Sequence, residues 1–242
     1  MKKFNVAFLF IFSMFTAGSA VKAQEKNDSL FIAEVTANIA KLSSNPDQRA
    51  SALFNGKVHN PHLRFKDGGH AFFMNEKYTE GTVTLNGVIY HLVNLMYDIV
   101  RNELVLLNID QTNGIVLQPE NVNSFTLHQH HFINIKQAQQ EIKAGYYDLL
   151  YKGRMSLLAK REKEVTEKID QTIEKVVSEK TSYFLLKDAK YHPVNGKAAL
   201  LKLLHSTNTE NLAFIKKNKL NFKKDLANAM VSLINFHDSF NK

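Results

Sequence analysis

Along residues 81–107 the apolar positions fall into three short runs. Val83 and Leu85, then Val88 to Val93, then Leu104 to Leu107 are β-branched, aromatic or leucine-rich, which suits a pleated and half-buried surface. Asn86-Gly87 separates the first two runs. That pair favours a two-residue type I′ hairpin, because both central residues of the turn need positive φ. Tyr97 to Val100 runs into Arg101-Asn102-Glu103, a polar break that fits a second hairpin connection. Leu104–Leu107 is apolar on both faces, as expected of a central strand beneath a second layer. The competing pattern is an amphipathic helix over Leu92–Val100.

The flanking segments extend this meander. Asn55-Gly56 is a turn at the start of the β-region, and Phe65, Phe72, Phe73 and Tyr78 are aromatic anchors in a weakly patterned stretch. Gly114–Leu117, Ser124–Leu127 and Phe132–Ile135 predict strands, separated by a loop containing Pro119 and a polar turn at His128–His130. Gly145–Leu150 and Arg154–Lys160 predict a hairpin around Tyr151-Lys152-Gly153, and Tyr183–Leu186 with Tyr191–Val194 predicts another. Residues 160–180 fit two patterns. Val165, Ile169, Ile173 and Val176 recur at four, four and three residues, and Glu164–Lys168 is a helix-favouring pair. A long charged edge hairpin gives a similar pattern, and the spacing slightly favours helix. Helical periodicity is clear over Asp28–Leu42 and again over Ala198–Leu204, Thr209–Asn218 and Lys223–Phe240. No repeat of fixed period occurs.

The expected fold class is therefore α+β. A mainly antiparallel β-sandwich or open barrel spans residues 53–194. A short N-terminal helix and linker over 24–52 precede it, and a basic helical segment over 195–242 follows.

The first 23 residues stand apart. Lys2 and Lys3 precede an apolar run from Phe4 to Phe15, and small residues lead to Ala23. This is the pattern of a signal peptide cleaved near Ala23, since the run is shorter than the ~20 residues that span a bilayer. A periplasmic or secreted mature chain without a transmembrane helix is expected. The sequence has no cysteine, so disulfides, thiolate metal sites and a lipidated cysteine are excluded.

Charge is unevenly spread. The whole chain carries +8, residues 24–189 carry −1, and residues 190–242 carry +6. The excess is densest at Lys216, Lys217, Lys219, Lys223 and Lys224. Such a patch attracts an anionic envelope component or an acidic protein face through a screened field. The bland alternative is a solvated helix surface that serves solubility. Nucleic acid is not an expected partner of an exported chain.

Several stretches together resemble a known family. They are Gly69-His70-Ala71-Phe72-Phe73, Gly81-x-Val83 with Asn86-Gly87 and Tyr90, Tyr97-Asp98 with Glu103-Leu104, and Gly145-Tyr146-Tyr147 to Leu150 with Lys152-Gly153 and Leu158-Ala159-Lys160-Arg161. The tail adds Tyr183-Phe184-Leu185-Leu186 and the run from Ile215 to Asp225. Across most of its length after residue 23 the chain resembles a family of exported, signal-peptide-bearing proteins of Bacteroidota. The resemblance implies a cell-envelope location and transfers no catalytic residue. His70-Ala71 departs from the His-Pro expected there.

Candidate chemistry is sparse. His128-Gln129-His130-His131 places two imidazoles on one face of an extended strand. A zinc site needs three or four protein ligands and no local carboxylate supplies the rest, so a polar turn is expected and no metal. His59, His62 and His70 form a looser group that would need a further ligand from elsewhere in the fold. Asp98 follows Tyr97 in an apolar run and lies near Glu103, a position for a general acid or for a carboxylate that caps a turn or pairs with Arg101. Asp110 to Gly114 resembles a calcium loop without its closing acid. Glycine-rich phosphate loops and a nucleophile elbow are missing. The expected function is a non-catalytic envelope protein that binds through its basic tail, with no cofactor. The alternatives are a carrier of a small hydrophobic ligand or lipid inside the β-region, and a hydrolase using Asp98, Glu103 or a histidine.

Overall fold

The computed structural model describes residues 53–60, 65–139, 141–169, 173–204 and 209–240. The expected leader over 1–23, the helix and linker over 24–52 and His62 lie outside the described residues.

The strands are β1 (Lys57–Val58), β2 (Thr79–Leu85), β3 (Val88–Asp98), β4 (Glu103–Leu107), β5 (Gly114–Val116), β6 (Val122–Leu127), β7 (His130–Ile135), β8 (Gly145–Lys152), β9 (Ser156–Ile169), β10 (Ile173–Lys187) and β11 (Lys190–Pro193). Helices α1 (Lys197–Leu203), α2 (Thr209–Lys217) and α3 (Leu226–Phe240) follow. All eleven strands belong to one open antiparallel sheet ordered β1-β5-β4-β3-β2-β6-β7-β8-β9-β10-β11.

The turns explain much of this order. Asn86 and Gly87 have φ of 49° and 81°, the two left-handed residues of the expected type I′ turn. His128-Gln129 and Asp188-Ala189 make the same two-residue connection without glycine, all four residues at positive φ. His130 is therefore the first residue of β7 and not part of the turn. The region Leu92–Val100 is strand up to Asp98 and not helix. Within it β3 carries one extra residue opposite Gly81–Val83, and Leu92 takes up the bulge at φ 56° with its side chain exposed.

Residues 160–180, for which the spacing slightly favours helix, form the long hairpin β9–β10. A spacing of four residues is an even number, so it meets the strand period of two as well as it approximates the helix period of 3.6. Cross-strand register decides between them. Val165 lies opposite Val177 and Lys163 opposite Glu179. Lys163–Glu179, Lys175–Glu167 and Lys180–Glu164 are ion pairs of 3.1, 3.7 and 3.9 Å, the pairing that favours adjacent antiparallel strands.

Two packed regions result. The first unites β2, β3, β4, β6, β7 and β8 around Tyr97, Phe125, Phe132 and Tyr146, whose rings sit 4.7–5.6 Å apart. Leu104 and Val105 of β4 are both fully buried, as expected of a central strand. The second joins Leu157 and Leu185 of the long hairpin to Leu200, Ile215, Met230 and Leu233 of the helices. Phe214 and Phe236 stack at 3.9 Å between α2 and α3. Asp238 of α3 fastens the helices to the sheet. Its Oδ2 accepts hydrogen bonds from Tyr151 Oη and the Arg154 backbone N–H, each at 3.0 Å, and from the Met155 N–H at 3.4 Å. Gly153 admits this contact, since a Cβ there would collide with Tyr151 Oη and Asp238 Oδ2.

One polar network crosses the first core. Asn102, at φ 57° in the β3–β4 turn, accepts from Tyr97 Oη at 2.8 Å, Lys160 Nζ at 2.9 Å and the Tyr146 N–H at 3.3 Å. Lys160 also donates to the Tyr146 carbonyl at 3.2 Å and lies 4.9 Å above the Tyr147 ring. Burial lowers its pKa to about 8, against a smaller opposing pull from Glu162.

Candidate functional site

The five lysines singled out in the sequence surround the end of α2 and the connection to α3, and all are exposed. Local chain chemistry puts them there. Helix α2 closes in a Schellman arrangement: the Leu220 N–H reaches the Ile215 carbonyl at 3.1 Å and the Lys219 N–H the Lys216 carbonyl at 3.2 Å. Lys219 occupies the left-handed position of this motif at φ 51°, where glycine is the usual residue. Asn221 Oδ1 then accepts from the Lys223 and Lys224 N–H groups at 3.1 and 3.0 Å. Asp225 caps α3 by accepting from the Asn228 N–H at 3.2 Å. The cap starts α3 at Leu226, later than the expected Lys223.

This chain path forms an open groove of about 500 Å³. Lys216, Lys219 and Lys223 line it together with Lys197 from the start of α1, and its apolar floor is Leu212, Ile215, Leu220 and Phe222. Lys217 and Lys224 are outside the lining. Lys197 is the member that sequence reasoning missed, since only the packing of α1 beside α2 brings it there. Leu212 is 45% exposed, so the floor is open to solvent. Lysines around an apolar floor suit an anionic amphiphile, whose headgroup and chain each find a complement.

A second cleft, about 290 Å³, is bounded by Phe73, Met74, His130, Arg161, Glu179 and Thr181, among others. Here His130 meets Asp148, its Nδ1 2.8 Å from Oδ2, and Arg161 reaches the same oxygen through Nη2 at 2.7 Å and Nε at 3.2 Å. The carboxylate holds one ring nitrogen, as in an oriented general base. Its charge is shared with a guanidinium, however, and Thr181 is the sole hydroxyl-bearing alcohol among the lining residues. His128 also packs on the Phe73 ring, 6.3 Å away, and His131 is exposed on β7. The polar turn expected here is formed by His128 and Gln129, and the rings of His128 and His130 both lie against Phe73.

The third group is the scattered set of His59, Asp98 and Glu103, which the fold brings together. Asp98 and Glu103 are the hairpin-closing pair of β3 and β4, and His59 follows β1 with its N–H on the Gly114 carbonyl at 2.8 Å. Asp98 is buried, and its Oδ1 accepts from the Val100 and Arg101 N–H groups at 3.0 and 2.9 Å. This is the turn-capping role expected of it. Arg101 directs Nη1 to the Asn60 carbonyl at 2.6 Å. His70 joins neither histidine group: its Nδ1 accepts from the Phe72 N–H at 3.2 Å and lies 3.3 Å from Lys163 Nζ. Asp110 caps the β4–β5 turn through the Thr112 N–H at 3.0 Å, which holds its carboxyl below the usual range.

No family model, no curated protein and no solved structure matches this chain. Among the described residues, no helix is long and apolar enough to cross a membrane.

Proposed function

We propose that this is an exported, non-catalytic cell-envelope protein that docks on an anionic phospholipid surface through the groove between α1, α2 and the α2–α3 connection. The observation that carries it is the combination of Lys197, Lys216, Lys219 and Lys223 with an exposed apolar floor. Each lysine near an anionic leaflet contributes about 1 kcal/mol, and the attraction fades beyond a Debye length of ~8 Å at physiological salt. Four together make a salt-sensitive surface attachment, and the floor adds an apolar component that salt does not screen. The leader at residues 1–23 and the resemblance to an exported Bacteroidota family support the same location.

The β-region supports this binding face as a scaffold. We read its sheet as curled towards a half-open barrel, because Asn102 in the β3–β4 turn bonds to β8 and β9. A carrier using that interior would need space where Tyr97, Phe125, Phe132 and Tyr146 are already in ring contact. A hydrolase with a protein nucleophile at the His130 cleft would need that group in contact with the imidazole, and no such contact is seen among the described residues.

The test separates the groove from its surroundings. Lys216→Glu, Lys219→Glu and Lys223→Glu combined should abolish co-sedimentation with phosphatidylglycerol vesicles at moderate salt. Lys217→Glu with Lys224→Glu should reduce it far less. Equal losses from both sets would leave only non-specific attraction, and undiminished binding of the first variant would remove the groove from the function.

A further inference from the structure

We infer that His59, Asp98 and Glu103 form a binding site for one divalent transition-metal cation, zinc being the best fit, separate from the basic groove. Three independent features converge here.

The first is an unpartnered donor. His59 is buried, and its Nε2 has no hydrogen-bond partner. A buried imidazole nitrogen left without a partner is costly.

The second is distance. Nε2 lies 3.6 Å from Asp98 Oδ2, too long for a good N–H···O bond, which is about 2.9–3.0 Å. Two donors bound to a single tetrahedral zinc at about 2.0–2.2 Å lie roughly 3.3 Å apart. The ligand atoms of His59, Asp98 and Glu103 all lie within 4.8 Å of one another, so a small side-chain adjustment closes them on one ion.

The third is orientation and charge. The Val100 and Arg101 N–H groups hold Asp98 by Oδ1, which fixes the carboxylate and presents Oδ2 to His59. Such outer hydrogen bonds are what keep metal-binding carboxylates in place. Asp98 and Glu103 face each other directly across β3 and β4, which sets two carboxylates beside the imidazole. Lys57 lies 2.8 Å from Glu103 Oε1 at the surface. Glu103 must therefore exchange or share that partner, and its contribution should be the smallest.

One nitrogen and two carboxylate oxygens suit zinc or a neighbouring first-row ion, and are too few and too nitrogenous for a calcium site. Three protein ligands leave a coordination position for water.

The experiment uses the full chain, stripped of metal with a chelator and titrated with Zn²⁺ against a chromophoric competitor, and with Co²⁺ followed by visible absorption. One saturable equivalent is expected, with the intense d–d bands of a low-coordinate cobalt site. His59→Gln and Asp98→Asn should each weaken it by at least about tenfold, and Glu103→Gln should weaken it less. Asp98→Asn retains the acceptor for the turn, and circular dichroism with thermal melting verifies that each variant folds. Loss of binding in His128→Gln with His131→Gln, while His59→Gln binds normally, would assign the ion to exposed imidazoles and overturn the proposal. So would the lack of any saturable equivalent.

Discussion

The aromatic core under β2–β8 and the helical cap on β9–β10 solve opposite problems. In the first, large rings fill the space, and a polar network of Asn102, Tyr97 and Lys160 is paired inside it. In the second, buried aliphatic side chains hold three helices while lysines and Leu212 remain outside. A filled interior offers a ligand no room, whereas a shallow cap with charges round an apolar floor leaves a surface to be covered. On the proposed reading, binding falls to the cap and rigidity to the sheet.

The comparison breaks most easily at the core. Phe132→Ala should cost ~3–5 kcal/mol, since the ring touches Phe73, Tyr97 and Phe125. Leu212→Ala at the groove should change stability by less than ~0.5 kcal/mol. Urea unfolding of both variants checks this, and similar losses would mean that the cap is packed as tightly as the core.

The buried lysine gives the sheet a pH signature on the order of a few kcal/mol. Between about 8 and 10.5 the folded chain has released the Lys160 proton that the unfolded chain still holds, so stability should rise with pH from about 8 until the tyrosines begin to ionise near 10. Above pH 10 the slope should reverse. Burial raises the phenols of Tyr97, Tyr146 and Tyr147, the last to about 12, so the unfolded tyrosines ionise first. Denaturant midpoints measured against pH should show the rise in wild type and lose it in Lys160→Met.

The joint between the two regions rests on Asp238. Asp238→Ala should cost about 2 kcal/mol, because three donors lose a charged acceptor. Amide exchange should then quicken in α3 and the β8–β9 turn more than in β2–β7. Uniform quickening would show that cap and sheet unfold as one cooperative unit.

The smallest effect is at Lys219. Lys219→Gly should stabilise by roughly 0.5–1 kcal/mol, because the left-handed backbone no longer carries a side chain. It should also weaken vesicle binding. A stabilised variant with full binding would mean that the residue is tolerated at this position and contributes nothing to attachment.

Much of the sheet was legible because turn chemistry is local. Asn86-Gly87 announces its own geometry, and the polar break at Arg101–Glu103 marks the next reversal to within two residues. The turn expected at Tyr151–Gly153 instead falls at Gly153–Met155, with Tyr151 and Lys152 still in β8. The β9–β10 hairpin was not legible, because spacings of four suit both periods and the deciding pairs, such as Lys163 with Glu179, come from cross-strand register. Site residues divide the same way. The Lys216–Lys224 cluster is contiguous in sequence and easily seen, whereas Lys197 and the meeting of His59 with Asp98 depend on packing between distant segments. His130 with Asp148 carries no local signal either, since the partner lies on the neighbouring strand.

The most direct measurement is amide hydrogen exchange of the full chain with and without phosphatidylglycerol nanodiscs. Binding through the groove requires slowed exchange over residues 209–226 and at the start of α1, with β2–β8 unchanged. Protection centred on the sheet or on the His130 cleft, with the α2–α3 connection exchanging as in free protein, would contradict it.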